Sequence, residues 1–276
     1  MRDISQQNFS NQQEFEAAVR QMFIEDANEY IRQTGNSTQF QLDQNDLYPC
    51  LNDIFQPAGL LPAGFGYFLF DLNVAKWINR SGTRHVFDIG SRLEGLISHL
   101  LAMDINVTML DIRPLPYKIE NLDFIQADAM NGLNELEDNS IETLTSLCVF
   151  EHFGLGRYGD PIDYHGWKKA LNGVKRKLKV GGKFYFEVPV GKVERVQFNA
   201  HRIFRPATII ETLAPALELE RFDCVHHEQS KITSYFFGGE GRQLSDILQK
   251  TEEITEKFIG ANDAGVFIFK KTQMID

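Results

Sequence analysis

The densest run of side chains able to do chemistry is EHFGLGRYGDPIDYH, residues 151–165. Glu151 and His152 are adjacent, and a carboxyl beside an imidazole is the usual material of a general base working near neutral pH. Arg157, Tyr158, Asp160, Asp163 and His165 follow on a path that Gly154, Gly156 and Gly159 make tight and Pro161 fixes at its exit. A second cluster, FNAHRIFRP, brings Asn199, His201 and Arg202. Glu151, His152, Asp160 and His201 are the catalytic candidates. Arg157, Tyr158 and Arg202 are candidates for gripping a substrate, since guanidinium groups recognise anions by two-point hydrogen bonds. Each residue also has a plainer reading. Asp160 could open a turn with Arg157 paired to it, His165 could cap the next helix, Tyr158 could be packing, and the His201–Arg202 pair could hold a strand-to-helix connection. Asp160, Asp163 and His165 lack recognised ligand spacing, so no metal site is expected there.

A different chemistry is written upstream, in VFDIGSRLEGLISHL. It reads as a buried strand ending on Asp88, a turn at Gly90 and Gly95, then a helix. A second strand, INVTMLD, ends on Asp111, twenty-one residues past Gly90. A third, in FIQADAM, puts Asp128 just beyond its end. Glycines that admit a ligand to the backbone, followed by acids at strand ends, suit a nucleoside.

The elements needed to bring these groups together are legible. Strands are predicted near 85–89, 106–111, 123–127, 142–149 and 183–188, with LELERFDCVHHE and AGVFIFKKT as a sixth and a seventh. Helices alternate with the first five, which favours a parallel sheet covered on both faces. The spacing predicts helices over 13–33, with Ser10 and Gln13 as a capping box, and over about 66–80, with Phe70, Val74, Trp77 and Ile78 on one side. Another spans 164–179, burying Trp167, Ala170, Leu171, Val174 and Leu178 behind a solvated lysine-rich face and ending at Gly181-Gly182. Residues 1–65 form an N-terminal helical extension and cover loop, and 66–276 form the main domain, with an insertion at about 228–262 that has its own helical stripe.

Composition narrows the function classes. A net charge of −10 argues against broad binding to nucleic acid. Cys50, Cys148 and Cys224 are widely spaced, so neither disulfides nor structural zinc are indicated, and a reducing, cytoplasmic compartment is expected. Cys148 reads as a small core residue, and strand alternation sends His226 and His227 to opposite faces. The N-terminus lacks the apolar core of a signal peptide, and no membrane-spanning segment is expected.

Three ligand readings compete at the glycine turn. The lysine of a phosphate-binding loop is missing after Gly95, and Arg92 stands where a dinucleotide site has its second glycine. S-adenosylmethionine (SAM), which carries no phosphate, suits a set of acids better. The order of motifs over about 84–272 resembles the class I SAM-dependent methyltransferases. That resemblance implies a Rossmann-like α/β fold with a seven-stranded, mostly parallel sheet whose last strand is antiparallel. It implies SAM as cofactor, at Asp88, Gly90, Arg92, Gly95, Asp111, Ile112, Asp128, Ala129 and Glu151. The first motif departs from the superfamily's acid-x-Gly-x-Gly-x-Gly, and Arg92 either clasps the methionine carboxylate or points to solvent. The runs YFLFDLNVAKWI, LDIRPLP, EHFGLGRYGDPID and FNAHRIFRP also resemble a family classed only as a domain of unknown function. Its bacterial members often look like parts of surface-glycan gene sets. The resemblance implies a methyl acceptor that is a glycan, a nucleotide-sugar or another small polar molecule. A hydroxyl acceptor would need a base or a metal. A non-catalytic partner in a glycan-assembly complex and a nicotinamide-dependent oxidoreductase are the alternatives. Oligomeric state is left open, a homodimer being one option.

Overall fold

The structure is a computed structural model, which describes residues 11–35, 42, 62–226, 231–237, 242–260 and 263–274. The chain divides into two compact units, Met1–Leu61 and Pro62–Asp276. In the first, α1 (Gln12–Thr34) is capped by Asn11, whose side chain accepts from the Glu14 amide at 3.0 Å. The cap is thus Asn11; Ser10, like Cys50, His227 and most of the 35–61 connection, lies outside the described residues.

The second unit opens with α2 (Pro62–Arg80), which starts a turn before the expected position 66 and buries Phe70, Val74, Ala75 and Ile78. β1 (His85–Ile89) runs through a distorted turn, Leu93–Ile97, into α3 (Ser98–Ala102). Then follow β2 (Asn106–Asp111), β3 (Leu122–Gln126), β4 (Ile141–Leu147), α4 (Gly166–Lys177) and β5 (Leu178–Val190). A hairpin of β6 (Arg195–Gln197) and β7 (His201–Ile203) precedes α5 (Pro206–Leu213) and β8 (Leu217–His226). The chain closes with β9 (Lys231–Phe236), α6 (Leu244–Phe258) and β10 (Asp263–Lys271). Among the described residues no helix is long and apolar enough to cross a membrane.

The main sheet has the order β3-β2-β1-β4-β5-β10-β8-β9. β1 to β5 pair in parallel, and β10 lies antiparallel between β5 and β8. The seven expected strands are all present. The eighth, β9, arises within the segment read as an insertion and pairs antiparallel with β8 as an edge strand.

Alternation along the strands feeds two cores. Phe87, Ile89, Phe184, Phe186 and Val188 face α4, α5 and α6. Val86, Met109, Leu147 and Tyr185 face α2 and α3. Glu187, one residue before Val188 and two after Tyr185, therefore belongs to the α2 side.

Two expectations fail here. The helix ends at Lys177, and Gly181-Gly182 lies inside β5 rather than at a helix terminus. A Cβ on Gly182 would come within 2.9–3.1 Å of the carbonyls of Lys179, Glu142 and Ile141, at a bulge in the β4–β5 pairing. Nor is the lysine face wholly solvated. Lys177 is buried and donates to Asp138 and to the Leu136 carbonyl, each at 2.7 Å.

Candidate functional site

The carboxyl ends of β1 to β5 surround a cavity of about 1050 Å3. Its first wall is the turn after β1. Gly90 has φ +67°, and a Cβ there would lie 2.8 Å from Val149 Cγ1, so the turn needs a bare backbone. Asp88, completely buried, does not line the cavity. Its carboxylate accepts from the Ser91 amide (2.9 Å), the Ser91 hydroxyl (2.7 Å) and the Thr145 hydroxyl (2.6 Å). Those contacts make it a brace for the turn. Burial raises its pKa to about 6 against the opposing pull of Thr145 and Ser91.

Gly95 is also off the cavity. A Cβ on it would sit 2.3 Å from Asp71 Oδ2, so this glycine admits α2 to the turn rather than a ligand. Asp71 is buried, and desolvation lifts its pKa to about 7, with Arg92 pulling the other way. Arg92 does line the cavity. It pairs with Glu94 at 2.5 Å, lies 5.6 Å from the Tyr67 ring centre and is more than half exposed.

The second wall comes from the next two strand tips. Asp111, Ile112, Asp128 and Ala129 all border the cavity. Asp111 is held by Arg113, which sequence reasoning passed over: Nε–Oδ1 is 3.0 Å and Nη2–Oδ2 is 2.7 Å. Asp128 caps the short turn Ala129–Asn131, accepting from the Met130 amide at 2.8 Å through Oδ1.

The third wall is the 151–160 loop. His152 Nδ1 lies 2.6 Å from the Ala200 carbonyl, so it must carry the proton, which leaves the lone pair on Nε2. Burial lowers the His152 pKa to about 4, with Arg157 and His201 adding to the effect. Glu151 Oε1 lies 3.5 Å from that Nε2. Glu151 is 2% exposed, its Oε2 has no hydrogen-bond partner, and burial followed by the charge of Glu187 pushes its pKa well up. Tyr158 stands edge-on to His152 at 5.4 Å and takes the guanidinium groups of Arg113 and Arg157 over its ring at 4.5 and 5.4 Å. Arg157 also donates to the Ala200 carbonyl at 2.9 Å.

Asp160 borders the cavity but is engaged in holding the loop. Its carboxylate accepts from the amides of Gly154 (2.8 Å), Gly156 (3.2 Å) and Tyr158 (3.1 Å). With those lone pairs committed it organises the loop. His201 reaches the cavity with Nε2 buried and unpartnered, its pKa lowered by burial and by Arg157 and Arg195. Arg202 does not border it. Its amide donates to the Glu151 carbonyl (2.9 Å) and its guanidinium to the Phe153 carbonyl (2.5 Å), which fastens the loop from behind. Asp163 ties to Lys169 and to the His165 amide, and His165 makes no side-chain cap.

Two further cavity groups were not assigned to the site from the sequence. Glu187 emerges from β5 at the cavity floor, and Cys148, read as a core residue, donates its thiol to Glu187 Oε2 at 2.5 Å. The signal for Glu187 was a lone acid inside the buried run FYFEVPV.

Residues 104–233 match the family model described as "Caenorhabditis protein of unknown function, DUF268". No curated protein sequence matches the chain. Among solved structures it is similar to 1,6-didemethyltoxoflavin-N1-methyltransferase of Burkholderia thailandensis, solved with bound 1,6-didemethyltoxoflavin and S-adenosylhomocysteine. That match has 13% identity, covers 96% of this chain and 92% of the other, and has a TM-score of 0.50. A SAM-dependent methyltransferase from Archaeoglobus fulgidus is 20% identical over 74% of this chain and 99% of its own, at 0.46. A putative sarcosine dimethylglycine methyltransferase from Galdieria sulphuraria gives 16%, 74%, 87% and 0.47. With five parallel strands in the order 3-2-1-4-5, an antiparallel strand inserted next to the fifth and helices on both faces, the chain has the Rossmann-like fold of the class I SAM-dependent methyltransferases.

Proposed function

We propose that the chain is a SAM-dependent methyltransferase that methylates a hydroxyl of a glycan, a nucleotide-sugar or another small polar acceptor. The observation that carries the reading is the convergence of Gly90, Asp111 and Asp128 with His152 and Glu151 on one cavity. Asp111 and Asp128 would accept from a ribose diol and an adenine amine, and Gly90 would let the ligand lie against the backbone. SAM supplies a methyl group on a positively charged sulfur, transferred in line as the carbon–sulfur electron pair returns to sulfur.

His152 is the group suited to take the acceptor's proton. It is neutral at pH 7, its orientation is fixed by the Ala200 carbonyl, and the free lone pair is on Nε2. As the new bond to oxygen forms, the hydroxyl proton passes to Nε2. Glu151 Oε1, 3.5 Å from that Nε2, is the acidic oxygen nearest the imidazolium that results. Arg157, Tyr158 and His201 border the same part of the cavity and are suited to an acceptor bearing an anionic group. The free thiols of Cys148 and Cys224 suit a reducing, cytoplasmic setting.

The test is transfer of radiolabelled methyl from SAM to a panel of sugars, nucleotide-sugars and polar amines. Labelling of a sugar hydroxyl that disappears in His152→Ala supports the proposal. Labelling confined to amines would overturn the hydroxyl assignment. A second reading, a non-catalytic partner of the same fold, is favoured by one observation: Arg113 already occupies both oxygens of Asp111. It predicts no labelled product and a SAM affinity that Asp111→Asn does not change.

A further inference from the structure

At the cavity floor three groups meet that the methyl-transfer chemistry does not explain together: the thiol of Cys148 and the carboxyls of Glu151 and Glu187. One ligand-type atom from each lies within 4.8 Å of the other two. They come from different places in the chain. Cys148 follows β4 with φ +58°, Glu151 opens the next loop, and Glu187 projects from β5 on the α2 side. Glu151 and Glu187 are 2% and 1% exposed, yet all three residues border the cavity.

Two buried carboxyls side by side are costly to ionise unless something positive joins them. Among the described residues no lysine or arginine bonds to either. The Cys148 thiol serves Glu187, and Glu151 Oε2 is left buried without any partner. An orphaned buried oxygen in a native fold calls for an unseen partner. Thiolate sulfur beside carboxylate oxygen is a donor set for zinc-type ions rather than for magnesium or calcium, which take oxygen alone. Three deprotonated ligands around a doubly charged ion leave one net negative charge, so such a site would still attract a cationic cofactor.

A second trio, Cys224, His226 and Asp263, is nearby in the fold but differs in kind. His226 spans Asp263 (3.1 Å) and Thr233 (3.2 Å), and Asp263 accepts from the Gly260 amide. Its polar atoms are satisfied within the protein, and it serves below as the control.

We propose that Cys148, Glu151 and Glu187 bind one divalent, zinc-type cation at the floor of the cavity. Any part the ion plays in polarising an acceptor hydroxyl rests on the methyl-transfer reading; the site itself does not.

Cobalt(II) alone, titrated anaerobically into the full chain, is the probe, because thiolate ligation gives a charge-transfer absorption that oxygen ligands do not. One equivalent is expected to produce that band. Cys148→Ser should abolish it, Glu187→Gln should weaken cobalt affinity about tenfold or more, and Cys224→Ser should leave both unchanged. No saturable band, a band that survives Cys148→Ser, or one lost in Cys224→Ser would overturn the proposal. Glu187→Gln is nearly isosteric and guards against a Cys148 variant that fails to fold; unchanged cobalt affinity with an unchanged circular dichroism spectrum also overturns it. Calorimetric SAM titrations of the same proteins separate the two ideas. A chain that binds SAM but not cobalt loses only the metal site, and one that binds cobalt but not SAM loses the cofactor reading.

Discussion

Arg113 holds both oxygens of Asp111 in a two-point clasp, Nε to Oδ1 at 3.0 Å and Nη2 to Oδ2 at 2.7 Å, while its guanidinium lies over the Tyr158 ring. The clasp joins the tip of β2 to the 151–160 loop, and so links two walls of the cavity.

That linkage predicts non-additive energetics. Asp111→Asn should weaken SAM binding about tenfold, roughly 1.4 kcal/mol. Arg113→Ala should weaken it less, because the carboxylate survives but loses its orientation. The double variant should bind about as poorly as Asp111→Asn alone, the mark of residues acting as a unit. Calorimetric titration of the four proteins checks this, and simple additivity would sever the link.

Asp71 predicts a pH signature in stability. Burial against the Gly95 turn raises its folded pKa to about 7 from an ordinary value near 4. The folded chain therefore keeps a proton that the unfolded chain releases between those limits. This contribution is intact below about pH 4 and is lost as pH rises towards 7. Asp71→Asn mimics the protonated form and should remove that slope. The variant should match the parent near pH 4 and exceed it by about 4 kcal/mol near pH 8. Urea melts across the range decide the matter; parallel curves would contradict it.

Much of the fold was legible because parallel strands buried on both faces appear as apolar runs, and here acids stand at the ends of the first two strands and just past the third. β9 was not. KITSYF is a half-exposed edge strand embedded in a polar stretch, and its pairing with β8 is a tertiary fact. Sequence also cannot tell an acid that meets a ligand from one that meets backbone. Asp88 and Asp111 each end a strand, yet Asp88 is consumed by Ser91 and Thr145 while Asp111 reaches the cavity. Asp160 and Arg202 went the same way, each spent on loop amides or carbonyls. Glu187 needed the register of β5 to reveal which face it shares with Cys148.

The Gly90 turn predicts a two-part penalty. Gly90→Ala adds a methyl 2.8 Å from Val149 Cγ1 and forces a side chain into positive φ. A loss of about 1–3 kcal/mol is expected, together with weakened SAM binding. Adding Val149→Ala should relieve the contact but leave the backbone strain, so denaturant midpoints should recover only in part. Full recovery would mean that φ at this turn is unconstrained.

For His152, burial keeps the imidazole neutral down to about pH 4. Protonation should therefore switch off its role as base near that pH rather than near the ordinary 6.5. With a responsive acceptor, the transfer rate should show no acid limb centred near 6.5. His152→Ala should lower kcat about a hundredfold or more while the SAM Kd moves less than about threefold. A comparable loss in both quantities would make His152 a structural residue.

The central claim is that the tips of β1, β2 and β3 bind an adenosine-bearing cofactor, and isothermal titration of the full chain with SAM tests it most directly. The account predicts saturable binding of one molecule per chain, weakened about tenfold by Asp111→Asn and again by Asp128→Asn. The absence of saturable heat, or affinity indifferent to both substitutions, would contradict it.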